Sequence, residues 1–209
     1  VFISFAMPRL IAIDRRLIDH GQNDSNLGTA RQYGADQLFV CDRNTPLSEF
    51  ISFVARWASG PNTHLEIWCH GVEVGGQLGY GLMFCQGGIT YSANCGGTLP
   101  LLRGLHGRVQ RVVLMVCGPA RIAPNAAAAA ANASCSPQDF GDGHLFCSEM
   151  AKVMGSWLEA STERQLFTTG RRPSGAFIPG TINYGQREGL WLTYSSNGNL
   201  QTHLSRRYS

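Results

Sequence analysis

The chain has 209 residues, 44% of them hydrophobic and 15% charged, with a formal net charge of +3. That composition suits one domain with a real core and excludes a disordered, fibrous or strongly polyionic chain. The basic residues are almost all Arg, scattered apart from the pairs Arg15-Arg16, Arg171-Arg172 and Arg206-Arg207. With no basic stripe and no interleaved aromatics, nucleic-acid binding is not expected.

Leu10 to Ile13 reads as a first core strand ending in Asp14, followed by a polar loop to residue 34 with a short helix near Leu27 to Tyr33. Gln37 to Cys41 is a second strand, ending at Asp42. Thr45-Pro46 predicts an N-cap and a first-turn proline. Leu47, Phe50, Ile51, Val54 and Trp57 then follow at helical spacing until Gly60-Pro61-Asn62 stops the helix. A third strand runs from Leu65 to His70. Residues 71–97 are glycine-rich and irregular, with a short strand at Leu82 to Cys85, and Thr98 to Leu105 reads as a short helix. Val109 to Val116 reads as a strand, and its unbroken aliphatic run from Val112 to Val116 is the pattern of a central parallel strand buried on both faces. Residues 119–143 carry Pro119, Pro124 and the alanines 126–131, and read as an exposed insertion. Phe146, Met150, Val153 and Met154 mark one face of a helix that Gly155 stops, and Trp157 to Ala160 is the next strand. Residues 189–209 read as a C-terminal β-hairpin, Leu190 to Tyr194 with Leu200 to Leu204, turning near Asn197-Gly198.

Alternating strands and helices predict an α/β domain over residues 1–188, with helices on both faces of a mostly parallel sheet and the hairpin packed on the same domain. Ligands bind such sheets outside the carboxyl ends of the strands. Asp14, Asp42, His70 and Cys117 all stand at predicted strand ends. A His and a Cys at one edge form a base and a nucleophile, because an imidazole takes the thiol proton and later protonates a leaving amine. Glycine follows each of them, and the N–H groups of Gly71 and Cys117 are the candidate oxyanion donors. The alternative is that two strands end in a buried Cys and a packed His by chance. Asp14, Asp42 and Glu73 are candidate substrate-binding acids that would favour a basic residue; each also fits an ordinary loop or capping acid.

The seven cysteines include no C-x-x-C pair and no regular spacing, so neither a disulfide framework nor a zinc ribbon is expected, and the chain suits a reducing compartment. Cys69, His70, Cys85 and Cys95 do not make a metal site, because adjacent strand residues point to opposite faces and Cys69 should pack away from His70. His144 is read as a surface residue. No G-x-S-x-G elbow and no phosphate-binding glycine loop is present. No apolar run approaches the ~20 residues of a membrane-spanning helix. Val1 to Met7 lacks the basic flank and cleavage site of a signal peptide, so a cytoplasmic location, or secretion without a visible signal, is expected.

The order strand-His70-Gly71, then strand-Cys117 47 residues later, resembles the caspase-like cysteine peptidases, which include caspases, gingipains, clostripain and separase. Met115-Val116-Cys117-Gly118-Pro119 departs from the caspase signature Gln-Ala-Cys-x-Gly, so aspartate specificity is not carried over. The chain resembles more closely a caspase-like domain of unknown function in large bacterial adhesin-type surface proteins. His70-Gly71 with Gly75-Gly76-Gln77-Leu78-Gly79, Val112 to Cys117, and Phe146 to Ser161 carry the likeness, which spans Leu10 to Phe167. It implies a three-layer caspase-like sandwich and a bacterial endopeptidase that needs no cofactor or metal and acts on a protein or peptide. The other reading, from a different class, is a catalytically silent module that binds a protein partner. Caspases process the loop after the nucleophile, which implies self-cleavage near Arg121; a plain surface loop is the simpler account.

Overall fold

The computed structural model describes residues 8–17, 35–58, 62–72, 81–91, 97–121, 142–165, 173–174 and 189–204. Seven strands form one sheet: β1 (Arg9–Asp14), β2 (Gln37–Cys41), β3 (His64–Trp68), β6 (Arg111–Met115), β7 (Trp157–Ser161), β8 (Trp191–Tyr194) and β9 (Leu200–Leu204). Their order is β2-β1-β3-β6-β7-β8-β9. The first five are parallel, and β8 and β9 add antiparallel. The expected hairpin therefore continues the main sheet. Two further strands, β4 (His70–Gly71) and β5 (Leu82–Met83), make a separate antiparallel pair.

The chain is an α/β protein whose sheet is buried on both faces. Leu10, Ala12, Leu65, Ile67, Val112, Leu114, Leu158 and Ala160 point to one face. Against them pack α1 (Leu47–Trp57), α2 (Gly143–Met154) and the 3-10 helix Leu99–Leu105, through residues such as Phe50, Val54, Leu102, Phe146 and Met150. Ile11, Ile13, Trp68, Val113, Met115 and Trp191 form a smaller cluster on the other face. Both α-helices contribute their buried residues to the first cluster. No helix among the described residues is long and apolar enough to cross a membrane.

Several local expectations differ from the structure. Thr45 does not cap α1: the helix starts one residue later, with Pro46 at the N-cap and no side-chain cap. Thr45 is instead drawn into a turn, where its hydroxyl accepts from Asp42 N–H at 3.0 Å and donates to Asp42 Oδ1 at 3.1 Å. The ends of the expected insertion are packed rather than exposed. Gly118, Pro119 and Ala120 are buried, and Gly143 N–H donates to Arg121 O at 2.9 Å. A Cβ on Gly143 would fall 2.4 Å from Pro119 O and 2.5 Å from Arg121 O, so this approach requires glycine. Residues 122–141, the short helix expected near 27–33 and the Gly60-Pro61 stop lie outside the described residues. Gly155, the expected stop, does close α2 in the left-handed conformation (φ 62°), and Asp142 caps its start by accepting from Leu145 N–H at 2.9 Å.

The second sheet face carries a row of charges near the strand starts. Arg9 pairs with Glu66 at 2.6 Å, Trp68 Nε1 donates to the other Glu66 oxygen at 2.9 Å, and Arg111 pairs with Glu159. His64 lies among them, its Nε2 3.7 Å from Glu66 Oε1. Burial, with Arg111 and Arg9, holds its pKa below the usual imidazole value against the pull of Glu66 and Glu159. The unfolded chain thus binds the proton more readily. The stability this histidine contributes is intact above about pH 6.5 and is lost as pH falls through that value toward the folded one. The melting temperature should drop on acidification through this window, and less steeply in His64→Gln; equal slopes would show that His64 does not carry the effect.

Candidate active site

The two sequence-predicted reactive residues stand at the carboxyl ends of adjacent central strands. Every paired row of β3 and β6 joins residues 47 apart, from His64 with Arg111 to Trp68 with Met115. His70 and Cys117 are separated by the same 47 residues and lie two positions beyond the last paired row. Neighbouring strands in such a sheet are about 4.8 Å apart, so the ladder carries the two chains side by side to one edge, ending two residues short of His70 and Cys117. Alternation assigns them the same face, because Cys69 and Val116 before them belong to the helix-side core. Cys69 thus packs away from His70, as expected.

His70 leaves the main sheet to pair with Met83. This makes β3 shorter than the run Leu65 to His70 predicts. His70 is partly buried, and its Nε2 lies 3.0 Å from the carbonyl oxygen of Arg16. A carbonyl only accepts, so Nε2 carries the proton and Nδ1 is the basic nitrogen. The β4–β5 ladder continues as Val72 N–H to Gly81 O at 2.9 Å. Hydrogen-bonded pairs alternate in an antiparallel ladder, so Gly71, one residue earlier, turns its N–H away from β5.

Cys117 is partly exposed, and its thiol donates to Gln165 O at 3.6 Å. The next residue, Gly118, takes a left-handed φ of 51° that swings the chain out of the strand. Its N–H donates to Glu163 O at 2.8 Å, and Ala120 N–H to Ser161 O at 3.1 Å. Gly118 N–H is thereby committed to the β7 exit. Ser161 and Gln165 stabilise that exit: Gln165 Nε2 donates to Ser161 Oγ at 2.7 Å, and Glu163 N–H to the same hydroxyl at 3.0 Å. Arg121, four residues after Cys117, is held by its own N–H to Gly118 O at 3.1 Å and by its carbonyl accepting from Gly143. Arg121, where the resemblance implied self-cleavage and a plain surface loop was the simpler account, is thus tied to the domain through Gly118 and Gly143.

Of the expected substrate acids, Asp14 and Asp42 are engaged by contacts within the domain. Asp14 is wholly buried. Its oxygens accept from Arg16 Nε at 2.8 Å, from Arg16 Nη2 at 2.7 Å and from Cys85 N–H at 2.9 Å, so its carboxylate is a structural anion and not a substrate contact. Asp42 folds onto its own turn, accepting from Asn44 N–H at 2.8 Å and Thr45 N–H at 3.1 Å. These bonds, that from Asn44 first, hold its carboxyl below the usual range. Glu73 lies outside the described residues. His144, read as a surface residue, is half-buried and hydrogen-bonds the Tyr194 hydroxyl through Nδ1 at 3.1 Å. Among the described residues no three His, Cys, Asp or Glu side chains converge as a metal ion would require.

Sequence reasoning missed Arg16, Glu163 and Gln165. All three act at the site through backbone carbonyls, which no side-chain pattern reports. Comparison with family models, with curated proteins and with solved structures finds no match to this chain.

The other described cysteines are buried. Burial pushes the Cys69 and Cys147 thiols up, and Cys41 is pushed up first by its hydrogen bond with Cys85 and then by burial. Iodoacetamide at limiting dose should therefore alkylate Cys117 before Cys41, Cys69, Cys85 and Cys147, with the order read by peptide mass spectrometry. Labelling of any of those four first would contradict this arrangement.

Proposed function

We propose that the chain is a caspase-like cysteine endopeptidase, a three-layer sandwich in which Cys117 is the nucleophile and His70 the base and acid. The observation that carries the reading is the shared step of 47 residues between the paired rows of β3 and β6 and between His70 and Cys117. It is supported by the Nε2 contact of His70 with Arg16 O, which leaves Nδ1 to take a proton. His70 Nδ1 removes the Cys117 proton as the sulfur attacks the peptide carbonyl. The N–H groups of Gly71 and Cys117 receive the oxyanion. The imidazolium then protonates the departing amine, and water hydrolyses the thioester with His70 again as base. No step calls for a cofactor. The substrate is a protein or peptide, and the setting implied by the resemblance is bacterial, as a secreted effector or a regulated processing enzyme.

One observation favours the alternative, a silent module that binds a protein partner: the Cys117 thiol is engaged by the Gln165 carbonyl. A thiolate cannot make that bond, so catalysis requires the sulfur to turn from Gln165.

A peptide-library screen read by mass spectrometry separates the two. The peptidase should cleave a subset of peptides and accumulate an acyl adduct on Cys117. Cys117→Ala should abolish cleavage, and His70→Ala should lower it by about 10²–10⁴-fold. Absence of any cleavage or adduct, with the wild type folded, would favour the silent module.

A further inference from the structure

We propose that Asp14 and Arg16 form a clamp that sets the tautomer and position of His70, which makes both of them positioning residues for the reaction. The inference rests on the reading of His70 as the base.

Asp14 ends β1 with no solvent exposure. Its Oδ1 accepts from the Arg16 backbone N–H at 3.0 Å and from Arg16 Nε at 2.8 Å, and its Oδ2 accepts from Arg16 Nη2 at 2.7 Å. One carboxylate therefore fixes both the side chain and the peptide of Arg16. The carbonyl of that same residue holds His70 Nε2 at 3.0 Å.

The pair also holds the turn that follows the strand partner of His70. Asp14 Oδ2 accepts from Cys85 N–H at 2.9 Å, and Arg16 Nη2 donates to Cys85 O at 2.8 Å. Cys85 adopts a left-handed φ of 54°, strained for a residue with a Cβ. It lies two residues after Met83, the strand partner of His70. A single ion pair thus anchors the acceptor of the imidazole and the turn behind its neighbouring strand.

Burying a carboxylate and a guanidinium is costly unless their donors and acceptors are matched, and a pair of apolar residues packs a strand end more cheaply. What the ion pair supplies instead is orientation. It is neutral overall, so it holds the imidazole without adding net charge at the site. With Nε2–H committed to Arg16 O, Nδ1 is the nitrogen left for Cys117.

The test reads the tautomer directly, by long-range 1H–15N correlation on the full chain with labelled histidine, His70 being assigned through His70→Gln. Above the imidazole titration range, wild-type His70 should carry its proton on Nε2. Asp14→Asn removes the anion, and Arg16→Lys, whose parent side chain is one-quarter exposed, keeps the charge but loses the two-pronged contact. Each should shift His70 toward a mixture of tautomers. Each should also slow the His70-dependent part of Cys117 alkylation about tenfold, the lower end of what loss of an orienting partner costs a histidine ligand. A wild-type Nδ1–H tautomer would overturn the clamp. So would an unchanged tautomer and alkylation rate in Arg16→Lys, or loss of the fold in both variants, which would assign the pair to the framework alone. If the tautomer shifts as expected while Cys117 alkylation is indifferent to His70, the clamp stands and the peptidase reading falls.

Discussion

The parallel pairing of β3 with β6 is the constraint on which the rest of the structure depends. Both strands are central and buried on both faces, so their register is set from two sides. Leu65, Ile67, Val112 and Leu114 pack under the helices, while Trp68, Val113 and Met115 pack on the opposite face. A slip of one residue would exchange these sets and drive the Glu66 carboxylate into the helix-side core, away from Arg9 and Trp68. An uncompensated buried carboxylate costs several kcal/mol, on the order of the stability of a whole domain. The register that avoids this cost is the one that sets Trp68 level with Met115, two residues before His70 and Cys117, so the energetics of the core and the approach to the site are one constraint.

Beyond the last paired row the two strands part, and each is caught by a different device. β3 continues through Cys69 into the β4–β5 pair, which turns the His70 backbone toward Met83. β6 breaks at Gly118, whose N–H is taken by Glu163. On the far side of β3 from β6, at the end of β1, stands the Asp14–Arg16 pair, with charge buried where the sheet ends. The arrangement holds the imidazole through a backbone carbonyl rather than through a carboxylate. The acid that sequence reading offered as a substrate contact is spent on that support.

Much of the sheet was legible because its signals are local. The aliphatic run before Cys117, the tandem of strand and helix up to Ala160, the stop at Gly155 and the turn at Gly198 depend on neighbours within a few residues. The reactive pair was legible because its residues end such strands. What was hidden depends on contacts that local periodicity does not report. Asp14 looked like a free strand-end acid because neither its pairing with the Arg16 side chain nor its bond from Cys85, 71 residues away, leaves a pattern in the sequence. Thr45 looked like a cap because the competing bond from Asp42 comes from the turn before the helix. Arg16 was invisible because its contribution to His70 is a carbonyl that every residue possesses.

The central claim is that His70 governs the reactivity of Cys117. The most direct measurement is the pH dependence of the Cys117 alkylation rate in the wild type and in His70→Gln. The account predicts a wild-type profile with a reactive thiolate appearing well below the ordinary thiol value of about 8.5, and a variant in which only the ordinary titration remains. Identical profiles in the two proteins, each rising once near the ordinary value, would contradict it.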